Sequence, residues 1–531
     1  MLLEKNAEDR YQSAFGLESD LKKCLAQLDK KLVIEPFGLA QDDFSGKFKI
    51  SQKLYGRDKE VKELLEAFGR VTRGAVEMML IAGYSGVGKT SLVSEIQKPV
   101  TQKKGYFIKG KFDQYQRNIP YSAIIQSLNE LVNYLLTEDK SDLLRWKGKI
   151  EEAVGKNGQV LIDVIPNLEF IIGKQHPVDE LQPTEARNRF NYVFRNFIRT
   201  ITRREHPIVL FIDDLQWADT ASLKLLQLLM QDSGNHYLLI VGAYRENEIK
   251  ASHSLVKTIQ EIKEKSNRLT DIALGNLTYE DVRDLIRATV KQNDEYLNPL
   301  IDLVFKKTLG NPFFLTQFLR SLYEEELLSF DFETKKWIWE LDQIQQKNIS
   351  DDVVELLAAK VSKLSALSQE VLQLASCIGD TFSFNLLSLL FGRDKSETFE
   401  YLWVAIEEGL VIPLDDNYRF LGGVSQELSH QIDSKFKFLH DNVQQAIYSL
   451  IPDNQRAQTH LAIGRWMQQN LDETEQEQRI FDIVNQLNAG SEFITVRKEI
   501  LDLAALNLKT GKRAKMAAAY DSAYNYLQKG V

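Results

Sequence analysis

One segment of the 531-residue sequence has the composition of a phosphate-binding loop. Residues 83–90 read Gly-Tyr-Ser-Gly-Val-Gly-Lys-Thr and match G-x-x-x-x-G-K-[ST] at every defined position. Glycines let backbone N–H groups approach phosphate oxygens closely, while Lys89 supplies positive charge and Thr90 a hydroxyl ligand for Mg²⁺. The alternative is a chance glycine-rich turn between a strand and a helix. The segment predicts a nucleotide site with Mg²⁺ as cofactor, formed by Gly83, Gly86, Gly88, Lys89, Thr90 and Ser91.

Two adjacent carboxylates follow an apolar run farther along the chain. The run Ile208–Ile212 predicts a buried strand, and Asp213 and Asp214 come directly after it. In a parallel sheet, the carboxyl end of such a strand lies at the edge where ligands bind. We therefore predict that Asp213 belongs to the Mg²⁺ shell and that Asp214 orients or deprotonates the attacking water. The alternative is a solvent-facing Asp-Asp turn at the end of the strand.

Two more polar residues lie close to predicted strand ends. Asp219 precedes an apolar helix, so a helix N-cap is favoured over a catalytic role. Arg245 follows the predicted strand Leu238–Ala243, where an arginine reaches the γ-phosphate as a sensor or catalytic finger. A surface arginine paired with Glu246 or Glu248 is the alternative. The guanine-reading pattern Asn-Lys-x-Asp is absent from the sequence, which favours ATP and ADP over guanine nucleotides.

Strand-like and helix-like patterns alternate between Leu54 and Leu274, and the elements they predict position the residues above. Strands separated by helices are typical of a parallel sheet with both faces covered. The predicted fold class is an α/β P-loop NTPase domain over residues 51–274. Its clearest strands are Met78–Ala82, Gly105–Ile108, Ile208–Ile212 and Leu238–Ala243.

The pattern changes after the predicted sheet, where strand signals become rare. Three short helices, the third at Phe313–Leu328, predict a helical lid over residues 275–349. A strand-like patch at Lys336–Glu340 interrupts them. On the N-terminal side, proline and glycine among scattered charges predict a linker over residues 31–50.

Residues 350–454 predict a separate domain. Helical patterns there are followed by a strand pair at Val411–Leu414 and Tyr418–Leu421, joined through the turn-prone residues 415–417. Helices closed by such a hairpin are typical of a winged helix. Residues 455–531 are helical again, with alanines and tyrosines on one face.

Charge and cysteine content limit the classes of function. Lys and Arg number 66 and Asp and Glu 75, so the net charge is −9 and nucleic acid is not an expected partner. Cys24 and Cys377 are the two cysteines, too few for a disulfide framework or a cysteine-based zinc cluster. No apolar run approaches the ~20 residues of a membrane-spanning helix, and the N-terminus lacks a signal-peptide core. The composition predicts a multidomain cytoplasmic protein.

Several of these motifs together resemble the STAND class of signal-transduction ATPases, which are relatives of the AAA and Orc-like ATPases. The segment Leu54–Glu60 contains Gly56 and Arg57 and resembles the Gly-Arg-x-x-Glu motif that lines the adenine pocket in that class. Asp213–Asp219 resembles its second nucleotide motif, and Arg245 matches its sensor arginine. The resemblance implies a nucleotide-operated switch.

Two further motifs extend this resemblance to about residues 52–452. Gly310-Asn311-Pro312 resembles the Gly-x-Pro element of the lid, which implies that Pro312 packs near the adenine. Without the resemblance it is a helix stop and restart. Residues 436–441 resemble the His-Asp switch, which implies that His440 touches bound ADP in the closed state. Leu439 replaces the methionine of the better-known Met-His-Asp form, and an ordinary core histidine is the alternative for His440.

One group of proteins is more similar still. Residues 112–121 and 211–219 resemble the ATPase module of large bacterial (cyanobacterial-type) hybrid serine/threonine kinases that continue into sensor and histidine-kinase domains. Residues 4–11 resemble the last turn of a protein-kinase C-lobe, so residues 1–30 are interpreted as a kinase remnant. The motifs His-Arg-Asp and Asp-Phe-Gly do not occur, so we expect no protein-kinase catalysis from this chain. The C-terminal helices resemble the start of a TPR-like array, and we expect a fragment of a longer receptor.

These observations predict an ATP-binding, slowly hydrolysing signalling switch in which Asp214 and Arg245 are catalytic. One alternative is a scaffold that binds nucleotide without turnover, and another is a DNA-binding regulator that uses the winged helix. The helix predicted at Ser396–Glu408 carries four glutamates and no Lys or Arg, so it would repel DNA phosphates. Expected partners are nucleotide, proteins bound through the helical array or neighbouring kinase and sensor domains, and further copies of the chain when ATP is bound.

Overall fold

The computed structural model describes residues 10–11, 13–40, 48–114, 117–250, 252–265, 268–291, 295–331, 333–334, 336–346, 353–421 and 433–531. The chain divides into two compact units. One comprises Arg57–Gly275 with Ser350–Val531, and the other comprises Met1–Gly56 with Asn276–Ile349. Among the described residues, no helix combines the length and the apolar character needed to cross a membrane.

A five-stranded parallel sheet lies in the unit that begins at Arg57. Its strands are β1 Val76–Gly83, β2 Tyr106–Lys111, β3 Ile208–Asp213, β4 Leu238–Tyr244 and β5 Leu269–Leu274, in the order β2-β3-β4-β1-β5. The three central strands are buried along almost their whole length, as expected of apolar runs in a parallel sheet covered on both faces. The predicted α/β P-loop NTPase fold is confirmed.

The two edge strands carry polar residues and differ most from the sequence prediction. The strand predicted at Gly105–Ile108 extends to Lys111. The strand β5 is absent from the clearest predicted strands, because Thr270 and Asp271 interrupt its apolar run. An edge strand is covered on fewer sides than a central one, so its hydrophobic pattern is weaker.

Helices flank this sheet, and Pro183–Ile201 illustrates why they form. Proline lies in its first turn, where a missing N–H costs little, and Phe190, Phe194 and Phe197 recur at helical spacing on its buried face. Among the described residues, the helices of this unit are Asp58–Val71, Lys89–Ser94, Gln97–Gln102, Ser122–Leu136, Lys140–Val154, Gly158–Ile162, Glu169–Ile172, Pro183–Ile201, Thr220–Gln231, Ser254–Lys265, Val353–Ser362, Ala366–Ile378, Phe384–Phe391, Lys395–Glu407, Asp441–Ser449, Asp453–Asn470, Glu473–Gln478, Ile480–Ala489, Arg497–Met516 and Tyr520–Lys529.

Glycine at position 110 lets β2 approach the helix Ser122–Leu136 closely. A Cβ atom on Gly110 would lie 1.7 Å from the carbonyl oxygen of Ala123, a distance that no side chain tolerates. The next residue, Lys111, is the last residue of β2.

In the unit that contains Asn276–Ile349, the described residues form helices and a hairpin. In the hairpin, β6 Leu328–Asp331 pairs antiparallel with β7 Lys336–Trp339, which agrees with the strand-like patch of the sequence prediction. The helices of this unit are Ala14–Lys31, Tyr279–Val290, Asn298–Thr308, Pro312–Glu324 and Leu341–Gln346.

The third lid helix is shorter than predicted. The prediction that it continues to Leu328 is wrong, because the helix ends at Glu324. Glu326 takes a left-handed φ of 58° and turns the chain into β6. Leu328 then pairs with Trp339 across the hairpin.

The structure describes only part of the N-terminal segment for which a kinase remnant and a linker are predicted. Residues 1–9 lie outside the described residues, so the resemblance to a kinase C-lobe there stays a prediction. The helix Ala14–Lys31 begins after Ser13, whose side chain caps it. Phe48 and Ile50, at the end of the predicted linker, pack against the apolar core of their unit.

Residues 353–451, hereafter the winged segment, contain a small antiparallel sheet. Its strands are β8 Thr381–Ser383, β9 Val411–Pro413 and β10 Lys435–Phe438, in the order β8-β10-β9. The predicted pairing of Val411–Leu414 with Tyr418–Leu421 is wrong. A 3₁₀ turn at Asp416–Phe420 takes the place of the second strand, and β10 pairs with β9 instead.

The side chain of Asp415 explains this outcome. Its carboxylate accepts hydrogen bonds from the N–H of Asn417 at 2.9 Å, the hydroxyl of Ser434 at 2.7 Å and the N–H of Lys435 at 2.9 Å. One side chain therefore caps the turn and also holds the start of β10 beside it. The hydrogen bond between Asp415 and Lys435 joins residues 20 positions apart, so the local sequence pattern does not predict it.

The last helices of the chain pack back onto the segment that holds the parallel sheet. Ala517 and Ala519 belong to the same apolar core as the sheet residues, and the hydroxyl of Tyr121 donates to the carbonyl of Ala517 at 2.8 Å. Ala523 and Tyr526, on the face predicted to be apolar, are buried. The resemblance to a TPR-like array stays a prediction.

Candidate nucleotide site

The phosphate loop connects β1 to the helix that follows it. Gly86 and Gly88 have φ values of 79° and 94°, in the left-handed region that glycine adopts without strain. Lys89 is buried, and its Nζ donates to the carbonyl oxygens of Gly83 and Tyr84 at 2.9 and 3.0 Å. Burial lowers the pKa of Lys89, and the nearby acidic pair opposes that shift. The ammonium group is thus held inside the loop.

The two predicted Mg²⁺ ligands contact each other. Thr90 Oγ1 donates to Asp213 Oδ2 at 3.1 Å, so the hydroxyl at the end of the loop meets the carboxylate at the end of β3. Both groups are oxygen donors, the type that Mg²⁺ takes. Thr90 and the neighbouring Ser91 are exposed, which leaves space for the phosphate oxygens and waters that usually complete a Mg²⁺ shell. The donor set fits Mg²⁺.

Asp214 is buried beside Asp213, so a solvent-facing Asp-Asp turn does not describe it. Its backbone is left-handed, with a φ of 56°, which is uncommon outside glycine. Gln216 Nε2 donates to Asp214 Oδ1 at 2.8 Å. Burial, together with the carboxylates of Asp213 and Asp441, raises the pKa of Asp214 well above its ordinary range. A carboxyl group in this setting is suited to exchange a proton with a bound water.

Arg245 is also buried, so the alternative of a surface arginine is wrong, although the pairing with Glu248 occurs. Arg245 Nη1 lies 3.0 Å from Glu248, Nε lies 3.3 Å from Asp214, and Nη2 lies 2.8 Å from Asp441. The guanidinium also lies over the ring of Trp217, 4.8 Å from its centroid. The side chain predicted to sense the γ-phosphate is therefore held by three carboxylates.

One residue of this charge cluster, Lys111, is absent from the sequence prediction. It ends β2, and in the sheet register it pairs with Asp213. Its ammonium forms an ion pair with Asp441 and lies 3.7 Å from Asp380 and 3.8 Å from Asp214. Burial alone would lower the pKa of Lys111, but these carboxylates outweigh it and raise the pKa. Extending the predicted strand to its observed end would have placed Lys111 opposite the acidic pair.

Asp441 brings the winged segment into contact with this edge of the sheet. It begins the helix Asp441–Ser449, and its two carboxylate oxygens pair with Lys111 and Arg245. Burial opposes its charged form, but Lys111, His440 and Arg245 outweigh burial and hold the pKa of Asp441 below its ordinary range. The same carboxylate therefore forms ion pairs with two cations, Lys111 and Arg245, that lie beside Asp214.

His440 precedes Asp441 and caps the same helix. Its Nδ1 accepts from the N–H of Asn442 at 3.1 Å, and the side chain of Asn442 accepts from Ser85 Oγ at 3.1 Å. Because Ser85 belongs to the phosphate loop, the winged segment contacts the loop one residue away from Asp441. The contact of His440 with ADP stays a prediction.

Arg57 contacts the phosphate loop through a backbone carbonyl group. It is buried, and its Nη2 donates to the carbonyl of Gly275 at 2.5 Å and to the carbonyl of Val87 at 3.3 Å. Val87 lies in the loop and Gly275 follows β5. Arg57 therefore joins two segments that border the predicted nucleotide site.

The predicted adenine contacts of Gly56 and Pro312 stay predictions. Gly56 has a φ of 63°, which would strain any other residue, and a Cβ atom there would lie 2.4 Å from the Asp281 carboxylate, which would have to move. Pro312 is the first residue of its helix, with Asn311 as the capping residue. The local role of Gly310-Asn311-Pro312 is thus a helix restart.

Asp219 has the structural role that the sequence favours. Its carboxylate accepts from the N–H of Ser222 at 2.9 Å and caps the helix Thr220–Gln231. It also accepts from the N–H of Tyr121 at 3.1 Å. The side chain is fully engaged in holding two backbone segments together.

The lowered pKa of His440 predicts a pH-dependent loss of stability. Burial lowers this pKa from 6.5 to about 4, with Arg245, Lys111 and Lys89 acting in the same direction and Asp441 against it. The unfolded chain therefore takes up a proton here that the folded chain resists. The stability contribution of neutral His440 is complete above pH 6.5 and declines as the pH falls towards 4.

We expect the substitution His440→Gln to reduce the drop in thermal midpoint between about pH 7 and pH 5 by ~2–4 °C. Thermal unfolding followed by circular dichroism checks this. The matched control is the exposed His236→Gln, which should leave the drop unchanged. An identical pH dependence in the His440→Gln chain would contradict the burial argument.

Residues 53–241 match the family model of the AAA ATPase domain. Together with the parallel sheet and the phosphate loop, this match identifies an AAA-like P-loop ATPase domain. We refer to residues 57–275, which contain the whole sheet, as the ATPase domain. Nucleotide binding, ordinarily with Mg²⁺, is implied by this domain type.

Two curated relatives are named as histidine kinases. "Hybrid signal transduction histidine kinase G" of Dictyostelium discoideum is 29% identical over 646 aligned residues, which cover 99% of this chain and 19% of that protein. "Peroxide stress-activated histidine kinase mak3" of Schizosaccharomyces pombe is 24% identical over 534 residues, which cover 83% of this chain and 22% of that protein. The chain thus spans about a fifth of the length of these relatives. Both are eukaryotic, and they support neither a bacterial origin nor a serine/threonine kinase parent.

One solved structure aligns with most of the chain. The Signal Transduction ATPase with Numerous Domains protein with a tetratricopeptide repeat sensor, from Pyrococcus horikoshii, aligns with 91% of this chain and 59% of its own. The sequence identity is 12% and the TM-score is 0.44, so the two overall folds are only loosely alike.

Proposed function

We propose that the chain is an ATP-operated switch module, slowly hydrolytic, within a cytoplasmic signalling protein of the histidine-kinase type. The observation that carries the proposal is the position of Asp441. This residue of the winged segment pairs with both Arg245 and Lys111, the two cations that border Asp214. A nucleotide-dependent change at the ATPase domain is therefore linked by charge to the winged segment.

The nucleotide-binding residues in this proposal are those of the phosphate loop. Backbone N–H groups of the loop and the Lys89 ammonium hold the phosphates, while Thr90 and Asp213 hold Mg²⁺. Bound there, Mg²⁺ neutralises charge on the β- and γ-phosphates. Gly56, Arg57, Pro312 and His440 are proposed contacts of the adenosine and diphosphate parts of the nucleotide, as the STAND resemblance implies.

Hydrolysis in this proposal depends on Asp214. Its carboxylate accepts a proton from a water that attacks the γ-phosphorus, while the bond between that phosphorus and the β,γ-bridging oxygen breaks and leaves ADP and phosphate. Asp214 is held by Gln216 and bordered by Arg245, so its position is well defined. Burial raises its proton affinity, as a general base requires.

The switch arises because Asp441 and the γ-phosphate compete for Arg245. While Asp441 holds the guanidinium, the arginine is neutralised and the winged segment stays in contact with the ATPase domain. A γ-phosphate that attracts Arg245 weakens this contact. Because ADP lacks that phosphate, the two nucleotides bind the two arrangements with different affinity, and that difference drives the change.

Two other functions receive less support. A DNA-binding role for the winged segment is disfavoured, because the helix Lys395–Glu407 carries three glutamates and one lysine. A scaffold without turnover uses the same binding residues and is distinguished by measuring hydrolysis. Proteins bound through the C-terminal helices or neighbouring domains, and self-association with ATP, are the proposed partners.

Substituting Asp441 with asparagine tests the competition directly. The variant keeps the shape but removes the charge that holds Lys111 and Arg245, so we expect steady-state ATP turnover to rise by about tenfold, since one charge-assisted hydrogen bond is worth ~1.5–3 kcal/mol. Phosphate release from purified protein measures this. Asp380→Asn is the matched control, because Asp380 is 42% exposed in its side chain and pairs with Lys111 but, among the described residues, not with Arg245. Turnover in Asp441→Asn at or below that of the control would count against the proposal.

A further inference from the structure

A cleft lies between the ATPase domain and the last helix of the chain, away from the phosphate loop. Its volume is about 590 Å³, and its walls come from the helices Pro183–Ile201, Thr220–Gln231 and Tyr520–Lys529. Lys89, Thr90, Asp213 and Asp214 are not among its lining residues. Small-molecule sites have volumes of roughly 300–1,000 Å³, so the cleft is large enough for a metabolite-sized ligand.

Four cations line this cleft without carboxylate partners in the part of the chain that the structure describes. Arg117, Arg187, Lys224 and Lys265 face it, and none of them forms an ion pair with an acidic side chain of the described residues. Arg70, Arg199 and Arg245 of the same domain, in contrast, are each paired with carboxylates. Unpaired like charges around one cavity repel each other, so an anion placed between them would be stabilised.

The acidic side chains of the cleft do not balance these cations. Asp219 lies at one wall, but its carboxylate already accepts hydrogen bonds from the N–H groups of Ser222 and Tyr121. Asp521 is exposed at the rim. The surplus of positive charge is therefore a property of the cleft itself, in a chain whose net charge is −9.

The walls of the cleft are fixed by aromatic contacts. The guanidinium of Arg187 lies over the ring of Tyr520 at 5.2 Å, while the Tyr520 hydroxyl donates to the carbonyl of Pro183. Tyr121 stacks on Phe190 with ring centroids 5.2 Å apart. Stacking limits the freedom of Arg187 but leaves its N–H groups free of described carboxylates, so less entropy is lost when they bind a ligand.

We propose that this cleft binds a small anion with at least two negative charges, either a phosphate compound or a polycarboxylate. Arg187 and Lys224 are the principal contacts, because they line the cleft from two different helices of the ATPase domain. The bound anion joins these helices to Tyr520–Lys529 and so strengthens the contact between the ATPase domain and the C-terminal helices. This binding is independent of the proposed ATP switch.

Calorimetric titration with two probe anions tests the proposal. The full-length Lys89→Ala chain removes the main cation of the phosphate loop, and inorganic tripolyphosphate and citrate are titrated into it separately. We expect one equivalent of at least one probe to bind, and binding to weaken with added salt. Tighter binding of tripolyphosphate assigns a phosphate ligand, and tighter binding of citrate assigns a carboxylate ligand.

Two double variants of the Lys89→Ala chain test whether the anion binds in the cleft. Arg187→Gln with Lys224→Gln should weaken it by at least about tenfold, because two charged donors are lost. The control, Lys498→Gln with Lys512→Gln, removes the same charge from exposed positions on the helix Arg497–Met516 and should leave binding unchanged. If the first pair fails to fold, the single exposed Lys224→Glu serves instead. The proposal is overturned if neither anion binds, or if the cleft variants bind as tightly as the control.

Discussion

Replacing Lys89 with alanine is expected to weaken ATP binding by at least ~100-fold, or ~2.7 kcal/mol. The ammonium group is held in the phosphate loop by the carbonyls of Gly83 and Tyr84, where nucleotide phosphates would replace them as partners. Without this charge, the phosphates face the carboxylates of Asp213 and Asp214 with less compensation. The lost attraction to Lys89 and the remaining repulsion from the carboxylates both weaken ATP binding.

Titration of ATP in the presence of Mg²⁺ measures this loss in the purified chain. The control is Lys103→Ala, which removes the same charge from an exposed position after the helix Gln97–Gln102. We expect the control to bind ATP as the unsubstituted chain does. If Lys89→Ala also binds ATP with undiminished affinity, the interpretation of residues 83–90 as a phosphate loop is wrong.

The second large effect is expected for Asp214→Asn, which should keep ATP binding but lose turnover by ~10²–10⁴-fold, the usual contribution of a general base. Asparagine has the same shape and accepts the hydrogen bond from Gln216, but it cannot take a proton from water. Removing a buried charge beside Asp213 also reduces repulsion of the phosphates, so binding should not weaken.

Turnover and binding must be measured on the same preparations. Glu248→Gln is the control, because Glu248 contacts Arg245 without contacting Asp214, and we expect it to hydrolyse ATP within about threefold of the unsubstituted chain. Hydrolysis by Asp214→Asn at the native rate would rule out the general-base role. If the unsubstituted chain itself shows no hydrolysis above buffer, the scaffold alternative is favoured.

The parts of the site that lie within one continuous motif are predictable from sequence. The glycines of residues 83–90 mark the positions where the loop needs a backbone conformation that other residues rarely adopt. The left-handed conformations of Gly86 and Gly88 agree with this. The contact between Thr90 and Asp213 is also predictable, because a parallel sheet brings the ends of its strands to one edge. Both inferences need only local pattern and a general rule of sheet topology.

Contacts between distant segments are less accessible to such reasoning. Lys111 was missed because the strand signal fades at the polar end of β2, and nothing local indicates that Asp380 and Asp441 lie beside it. The family resemblance predicts a role for the histidine of the His-Asp motif, whereas the structure gives the larger electrostatic role to the aspartate after it. That role depends on how the winged segment packs, which no spacing rule specifies.

The strand prediction at Tyr418–Leu421 of the winged segment is wrong for the same reason, a contact between distant segments. Tyr418–Leu421 has the apolar alternation of a strand, and the turn residues before it favour a hairpin. The Asp415 carboxylate instead engages both the local turn and Lys435, so a later segment takes the pairing position. A tertiary hydrogen-bond network overrides a local preference there.

Hydrogen exchange in the Asp214→Asn chain tests the central claim most directly. This variant should hold ATP without hydrolysing it, so the ADP-bound and ATP-bound states can be compared at saturating nucleotide with Mg²⁺. The account predicts that backbone amides of Lys435–Ser449 exchange faster with ATP than with ADP, by about tenfold, since a shift of ~1.4 kcal/mol accompanies release of Arg245 from Asp441. Equal exchange of this segment in the two states, with both nucleotides bound, would contradict it.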